Sequence, residues 1–291
     1  MKSQQAHSKQ FSFEFFPPKS PEGAAKLAAV RDTLGALKPA FFSVTFGAGG
    51  STQQGTLDAV LSIRDAGFDA APHLSCVGST EASVAEILQR YQDAGIKRLV
   101  ALRGDLPSGM LEAGAFRYAN ELVAFIRAQT GDHFHIEVAA YPEFHPQAPN
   151  AETDLDNFQR KVAAGANSAI TQYFFNADAY FRFVEGCEQR GVTLPIVPGI
   201  MPITNFTQLA RFSDMCGAEI PRWVRKRLEG FGDDRESIRA FGLDVVTNLC
   251  EQLLAAGAPG LHFYTMNQSA PTVALWNNLG LSKAAPNRAM S

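Results

Sequence analysis

The sequence has few cysteines and little net charge, and both scarcities narrow the classes of protein that it can encode. A formal net charge of −3 argues against nucleic acid or an anionic membrane surface as the main partner. The chain has no signal-peptide pattern and no apolar run of membrane-spanning length, so we expect a soluble cytoplasmic protein. Four widely spaced cysteines without a Cys-x-x-Cys pair favour reduced thiols over disulfides or a zinc site: Cys76, Cys187, Cys216 and Cys250.

Several common site motifs are also absent. The sequence has no His-x-Glu-x-x-His segment and no cluster of carboxylates, so no metal site is expected. The glycine-rich stretch 47–50 has Thr52 where the last glycine of a Gly-x-Gly-x-x-Gly turn belongs, which argues against a dinucleotide-binding turn. No lysine ends a predicted strand in the manner of a Schiff-base lysine.

From residue 11 onward, short apolar runs alternate with longer amphipathic stretches, which predicts alternating strands and helices. The predicted strands are Ser12–Phe16, Phe41–Thr45, Ala70–Leu74, Arg98–Leu102, His135–Ala140, Ser168–Tyr173, Leu194–Val197 and Leu261–Thr265. The predicted helices are Pro21–Leu37, Gln53–Ala66, Glu81–Ala94, Tyr118–Ala128, Thr153–Ala164, Ala177–Arg190, Asn205–Cys216, Arg235–Ala256 and Ala270–Leu279.

Eight strands followed by helices, in 291 residues without a linker, predict an α/β fold of the (β/α)₈ TIM barrel type. We expect a flexible segment at residues 1–10 and a single barrel domain at residues 11–291. A doubly wound open sheet is the alternative architecture.

Glu14 is the one charged residue in an otherwise aromatic run near the start of the chain, Phe11–Phe16. Side chains alternate along a strand, so Ser12, Glu14 and Phe16 face one way, and the intervening phenylalanines face the other. Burial among aromatic side chains favours the uncharged carboxyl group, which suits a general acid. The simpler interpretation is an acidic side chain that reaches solvent at a strand edge.

Polar side chains stand at the carboxyl ends of most predicted strands, where barrels place their active sites. A barrel without a site would fill these positions with Val, Ile and Leu. One exception would be weak support, since a buried His or Gln is usually just hydrogen-bonded. Several equivalent positions together predict a functional site at the mouth: Thr45, His73, Arg103, Asp105, Tyr141, Glu143, Gln172 and Tyr264.

The predicted helix at 153–164 carries a polar face made of Asp154, Asn157, Arg160 and Lys161, which follow helical spacing. This face is either simply solvated or a clamp for phosphates and sugar hydroxyls. The second interpretation follows from chemistry, because Arg and Lys pair with phosphate oxygens while Asp and Asn bind hydroxyls.

Motifs across residues 11–281 are similar, in the same order, to those of one enzyme family. They are Ser12–Pro18, Val44–Ala48, Ala71–Leu74, Ala101–Asp105, Ala139–Pro146, Lys161–Ala166, Ile170–Gln172, Pro198–Pro202 and His262–Thr265. On these motifs the chain resembles the methylenetetrahydrofolate reductases, flavoproteins that reduce 5,10-methylenetetrahydrofolate to 5-methyltetrahydrofolate. The resemblance implies a single catalytic barrel with FAD across its C-terminal mouth, NADH or NADPH as the reductant, and a homo-oligomer. It also implies a place in one-carbon metabolism that feeds methionine synthesis.

The resemblance also assigns site residues. The family's FAD contacts fall on Thr45, Phe46, Ala48, His73, Arg103, Gly104, Asp105, Tyr118, Ala119, Tyr141, His145, Asp154, Asn157, Arg160 and Lys161. Glu14 becomes the general acid that protonates folate N10, and Asp105 a catalytic carboxylate beside flavin and pterin. Substrate contacts fall on Glu14, Asp105, Gln172, Gln208, Phe212 and Gln268. The family usually has arginine at position 268, so this neutral amide departs from its pattern.

Two other functions remain open at this point. One is a different flavin-dependent barrel, similar to proline dehydrogenase, which has less use for an acid in the first strand. The other is a folate- or flavin-binding protein without catalysis, against which the presence of Glu14 and Asp105 counts. One site that serves the nicotinamide and the folate in turn implies ping-pong kinetics.

Overall fold

The computed structural model describes residues 1–46, 51–104 and 114–283. Within these ranges the parallel strands are β1 (Gln10–Phe15), β2 (Phe41–Val44), β3 (Ala70–Ser75), β4 (Arg98–Leu102), β5 (His135–Ala140), β6 (Ser168–Thr171), β7 (Ile196–Val197), β8 (Gly199–Ile200) and β9 (Gly260–Tyr264). The helices are α1 (Lys2–Gln5), α2 (Pro21–Gly35), α3 (Ser51–Asp65), α4 (Glu81–Asp93), α5 (Ala119–Thr130), α6 (Ala151–Ala163), α7 (Ala177–Gln189), α8 (Phe206–Cys216), α9 (Arg222–Gly230), α10 (Arg235–Ala255) and α11 (Ala270–Asn278).

The strands β7 and β8 are two halves of one barrel strand. The sheet order is β7-β6-β5-β4-β3-β2-β1-β9-β8, so β7 and β8 lie at its two ends. Only Pro198 separates them in the chain, and its carbonyl accepts a hydrogen bond from the backbone N–H of His262 at 2.9 Å. Proline has no N–H to donate, so the ladder changes partner here. The sheet thus closes into the predicted eight-stranded barrel, and the open-sheet alternative is wrong.

Alternation along β1 sorts its side chains between two environments, as predicted. Phe13 and Phe15 are fully buried, and the Phe13 ring centroid lies 5.9 Å from that of Trp276 in α11. These phenylalanines therefore pack between the sheet and the surrounding helices. Ser12 and Glu14 face the barrel interior instead. A small apolar layer fills that interior and is made of Phe41, Ala71, Val100 and Ile170.

Asparagine caps set the start of two helices that flank the mouth. The side chain of Asn150 accepts a hydrogen bond from the N–H of Thr153 at 2.8 Å, where α6 begins. Asn205 accepts from the N–H of Gln208 at 2.8 Å, where α8 begins. Each cap satisfies a backbone donor that the first helical turn leaves unpaired.

The first ten residues contact β7 through the side chain of Gln4. They include the short helix α1, and the side chain of Gln4 is fully buried. Its amide donates to the carbonyl of Leu194 at 3.1 Å and accepts from the N–H of Ile196 at 2.8 Å. One buried glutamine thus bonds the backbone beside β7, which satisfies polar groups that would otherwise be buried unpaired.

A buried ion pair lies at the N-terminal end of the barrel, opposite the mouth. The guanidinium of Arg98 donates to the carboxylate of Glu137, and Ser168 also donates to that carboxylate. Burial alone would raise the pKa of Glu137, but the His135 hydrogen bond and the charge of Arg98 lower it overall. His135 therefore belongs to a structural network at the floor of the barrel.

The remaining differences from the predicted elements are small. The helix α9 is absent from the predicted set, although its buried Val224 and Leu228 show helical spacing. The seventh strand begins at Ile196, two residues later than predicted, and is interrupted at Pro198. All four cysteines are free. None of the described helices is long and apolar enough to cross a membrane.

Candidate active site at the barrel mouth

The carboxyl ends of the strands surround a cavity of about 740 Å³, within the range of roughly 300–1,000 Å³ usual for ligand sites. Residues at or near the carboxyl end of each of the eight barrel strands contribute to the wall of this cavity. Nine residues predicted for the site line it together: Glu14, Thr45, Phe46, His73, Tyr141, His145, Gln172, Phe212 and Tyr264. At the predicted location, the mouth, the described residues therefore form a cavity that polar side chains from several strands line.

The carboxylate of Glu14 is nearly buried and faces two histidines. Its side chain is 11 % exposed, and Oε2 lies 3.4 Å from Nε2 of His73 and 3.5 Å from Nε2 of His262. Burial lowers the pKa of His73, although the charge of Glu14 opposes this, so His73 is neutral near pH 7. The Thr265 hydroxyl donates to the Glu14 carbonyl at 2.6 Å and fixes the backbone there. A carboxyl group held this way at a cavity wall has the geometry of a general acid.

Tyr264 spans the barrel interior next to Glu14. Its hydroxyl donates to the carbonyl of Thr171 at 2.7 Å, which connects β9 with the end of β6. Burial raises the pKa of Tyr264 well above its usual value, so the phenol stays neutral. The sequence pattern places this residue at the mouth, and the structure adds its bridging contact.

The predicted polar face of α6 exists, and its members make specific contacts. Lys161 Nζ donates to the carbonyl of Ala139 at 2.5 Å, and burial lowers the lysine pKa to about 8 against the opposing charge of Asp154. Asp154 accepts from the backbone N–H of His145 at 3.0 Å. Arg160 donates to Asn157 at 3.1 Å. Two cations and two oxygen acceptors thus lie on one helix beside the mouth.

A hydrogen bond connects the segment just after β4 with the loop after β5. Arg103 donates to the side chain of Gln147, which lines the cavity, and to the carbonyl of Gly104 at 3.2 Å. Gly104 has φ +84°, and a Cβ there would lie 1.9 Å from Oγ of Ser75, so only glycine fits. The hydrogen bond to Gln147 positions the Arg103 guanidinium beside the cavity.

Other predicted site residues lie outside the cavity wall. Tyr118 is 56 % exposed just before α5, and Ala119 is the first residue of that helix. Gln208 is exposed in the first turn of α8. Gln268 is also exposed and lines a separate cavity of about 690 Å³ beside α10 and α11. Two further residues lie outside the described ranges: Ala48 and Asp105.

His262 completes the site, although no role was predicted for it. It is fully buried two residues before Tyr264, and β1 pairs with β9 so that Ser12 stands opposite His262. The alternation that singles out Glu14 also applies to Ser12 and His262, but only the strand register brings them together. Side chains from α8 and from the segments after β8 and β9 also line the cavity without having been predicted: Met201, Met215, Cys216 and Met266.

Comparisons with known proteins agree with the resemblance found in the motifs. The family model described as methylenetetrahydrofolate reductase matches residues 1–280. The 5,10-methylenetetrahydrofolate reductase of Escherichia coli (strain K12) is 41 % identical over 271 residues, which cover 93 % of this chain and 90 % of that protein. The chain belongs to the methylenetetrahydrofolate reductase family. It is therefore an oxidoreductase barrel, as its motifs indicate.

Two further comparisons add a plant relative and a solved structure. Methylenetetrahydrofolate reductase (NADH) 1 of Zea mays is 38 % identical over 285 residues, which cover 93 % of this chain but 48 % of the maize protein. A Clostridium thermocellum protein, described as binding two copies of 5-methyl-5,6,7,8-tetrahydrofolic acid, has a TM-score of 0.67 at 16 % identity. That match covers 97 % of this chain and 96 % of the other, and at this identity it supports the barrel fold alone.

Proposed function

We propose that the protein reduces 5,10-methylenetetrahydrofolate to 5-methyltetrahydrofolate, with FAD as cofactor and NADH or NADPH as reductant. Family membership supports the folate substrate. The observation that carries the mechanism is Glu14, a nearly buried carboxyl group on the wall of the mouth cavity. The product would feed methionine synthesis, and the enzyme would act as a homo-oligomer in the cytoplasm.

The residues beside the mouth fit FAD. Lys161 and Arg160 supply cations for a pyrophosphate, and Asp154 and Asn157 supply oxygen acceptors for ribityl or ribose hydroxyls. The aromatic ring of Tyr141 on the cavity wall offers an apolar surface for a flat ring system. When bound, FAD supplies hydride transfer between nicotinamide and folate.

Glu14 supplies the proton of the reaction. Its carboxyl O–H bond breaks, an N–H bond forms at folate N10, and the bond between N10 and the methylene carbon then breaks. The five-membered ring opens and leaves an iminium at N5, which becomes the methyl group on taking up a hydride. His73 also lines the cavity, but burial keeps it neutral, and a neutral imidazole is a poor acid. Glu14 is therefore the acid that faces the cavity. One hydride and one proton are consumed in each turnover.

Gln172 and Phe212 line the same cavity and are positioned to serve both substrates in turn. The side-chain oxygen of Gln172 accepts a hydrogen bond from the backbone N–H of Tyr173 at 3.0 Å. The NH₂ group of Gln172 therefore points away from that N–H. That group can donate to a carboxamide or a pterin, while the Phe212 ring can stack on either. A single cavity used alternately implies ping-pong kinetics, with nicotinamide leaving before folate binds.

The direct test reconstitutes the purified protein with FAD and follows the flavin absorbance under anaerobic conditions. NADH or NADPH should bleach the flavin, and 5,10-methylenetetrahydrofolate should restore its colour. A comparison of the two bleaching rates identifies the preferred nicotinamide. A protein that binds no FAD, or a reduced flavin that the folate leaves unchanged, would overturn the proposal. Bleaching by proline would favour the alternative flavin barrel instead.

A further inference from the structure

A serine and a histidine extend the polar contact of Glu14 into the barrel interior. Nδ1 of His262 lies 2.7 Å from Oγ of Ser12, and Nε2 lies 3.5 Å from Oε2 of Glu14. His262 is fully buried and Ser12 is 2 % exposed, so this row of three side chains is shielded from solvent below the carboxylate. Each nitrogen of this buried imidazole therefore has one polar partner.

The other groups that face His262 are uncharged. The ring of Phe41 stacks on the His262 imidazole with 6.3 Å between ring centroids. The ring of Tyr264 packs edge-on against it with 5.4 Å between centroids. Tyr264 is a neutral phenol, and His73 on β3 is neutral because burial lowers its pKa. Among the described residues, Glu14 is the acid in contact with His262.

The chemistry of a neutral imidazole links the two contacts. It has one N–H donor and one acceptor nitrogen, so the partner of Nδ1 decides what Nε2 offers. If Oγ of Ser12 accepts a hydrogen bond from Nδ1–H, Nε2 presents its lone pair to Oε2 of Glu14. A protonated carboxyl group can donate to that lone pair, whereas a carboxylate gains nothing from it. A hydrogen bond to the neutral form of an acid favours the neutral form.

We propose that Ser12 and His262 are positioning residues that keep Glu14 protonated until the folate binds. Ser12 Oγ accepts a hydrogen bond from Nδ1–H of His262 and so favours this tautomer, and Nε2 accepts the hydrogen bond of the Glu14 carboxyl group. When the folate binds, the Glu14 O–H leaves its hydrogen bond with Nε2; the O–H bond then breaks, an N–H bond forms at folate N10, and His262 stays neutral. Solvent water returns a proton to Glu14 after the product leaves the cavity. This inference rests on the proposed function, in which Glu14 is the acid.

The test is the pH dependence of the folate half-reaction, measured as reoxidation of the reduced flavin by 5,10-methylenetetrahydrofolate. The wild-type rate should fall with rising pH, because the step consumes a proton that an acid in the site must carry. His262→Leu removes the acceptor, and Ser12→Ala removes the group that fixes the tautomer. Both should move this fall to lower pH by about one unit, a roughly tenfold slower reaction on the alkaline side. Ser12→Thr keeps the hydroxyl and should restore the wild-type profile.

Ser43 provides a matched control. It stands opposite Glu14 on β2 and is fully buried, and its Oγ bonds no described residue. Ser43→Ala should leave the profile unchanged, and flavin reduction by the nicotinamide should stay within about twofold in every variant. Ser12→Ala carries the test alone if His262→Leu fails to fold, as judged by thermal melting and FAD binding.

Two results would overturn the inference. An unchanged profile in both variants would show that neither residue acts on the Glu14 proton. A shift to higher pH would show that His262 stabilises the carboxylate by donating to it. Neither result touches the proposed function, which fails instead if Glu14→Gln still reduces folate. The two failures are therefore distinguishable in one set of proteins.

Discussion

The hydroxyl of Tyr264 reaches the carbonyl of Thr171 because Gly199 has no side chain. A Cβ at position 199 would lie 2.1 Å from that carbonyl oxygen and 2.6 Å from the Tyr264 ring. The hydrogen bond between Tyr264 and Thr171, at 2.7 Å, occupies this space. Close packing of one glycine thus positions Tyr264 beside Glu14.

Gly199→Ala should therefore disturb the site. The added methyl group must displace the Tyr264 ring or the Thr171 carbonyl, at a cost of about 1–3 kcal/mol for overpacking. We expect a lower melting temperature and slower folate reduction. Gly230→Ala is the control, since nothing lies within 4 Å of a Cβ there. Equal behaviour of the two variants would show that the contact at Gly199 has no bearing on the site.

Lys161 should make FAD binding depend on pH. Burial lowers its pKa to about 8, so its ammonium loses its proton as pH rises through that value. A bound phosphate favours the charged form, and the dissociation constant of FAD should therefore rise above pH 8, by at most about tenfold per pH unit. Titration of the apoprotein with FAD between pH 7 and 10 measures this slope.

Two variants separate the lysine from a general effect of pH. Lys161→Met should bind FAD more weakly at pH 7 and show a flatter slope above pH 8. Arg160→Met should also weaken binding but keep the slope, because an arginine at position 160 stays charged throughout this range. A slope retained in Lys161→Met would assign the pH dependence to another group.

The carboxylate of Glu137 should stabilise the fold, and this stabilisation should be lost at low pH. Its pKa is lowered in the folded protein, so its stabilisation is complete above its usual pKa and disappears as pH falls through the folded value. At pH 7, Glu137→Gln should lower the free energy of unfolding by about 3–5 kcal/mol, because it leaves Arg98 buried without its counter-charge. Urea unfolding should show this difference shrinking at low pH.

The double variant Arg98→Met with Glu137→Leu is the matched comparison. Replacing both charges with apolar side chains should recover much of the lost stability, since no unpaired charge remains. A double variant as unstable as the two single variants combined would contradict the ion-pair account.

Much of this fold was predictable because its signals are local. Alternation separates Glu14 from the phenylalanines beside it, and the observed faces of β1 agree. The mouth also follows from the sequence, since barrel topology brings the ends of all strands together. Asp154 and Lys161 have helical spacing, and both lie on α6.

The parts that were not predictable depend on contacts between distant segments. The register of β1 and β9 places His262 below Glu14, and nothing near either residue in the chain specifies that register. Gln4 reaches Leu194 and Ile196 across 190 residues or more, so its burial is invisible to local pattern. The ladder switch at Pro198 likewise depends on both neighbouring strands.

Glu14 should supply the proton for folate reduction and should have no part in reducing the flavin. Stopped-flow absorbance of Glu14→Gln, loaded with FAD, measures both half-reactions in one protein. Reduction by the preferred nicotinamide should stay within about twofold of wild type. Reoxidation by 5,10-methylenetetrahydrofolate should slow by at least the roughly 10²–10⁴-fold typical of a lost general acid. A near-normal reoxidation rate in this variant would show that a group other than Glu14 supplies the proton.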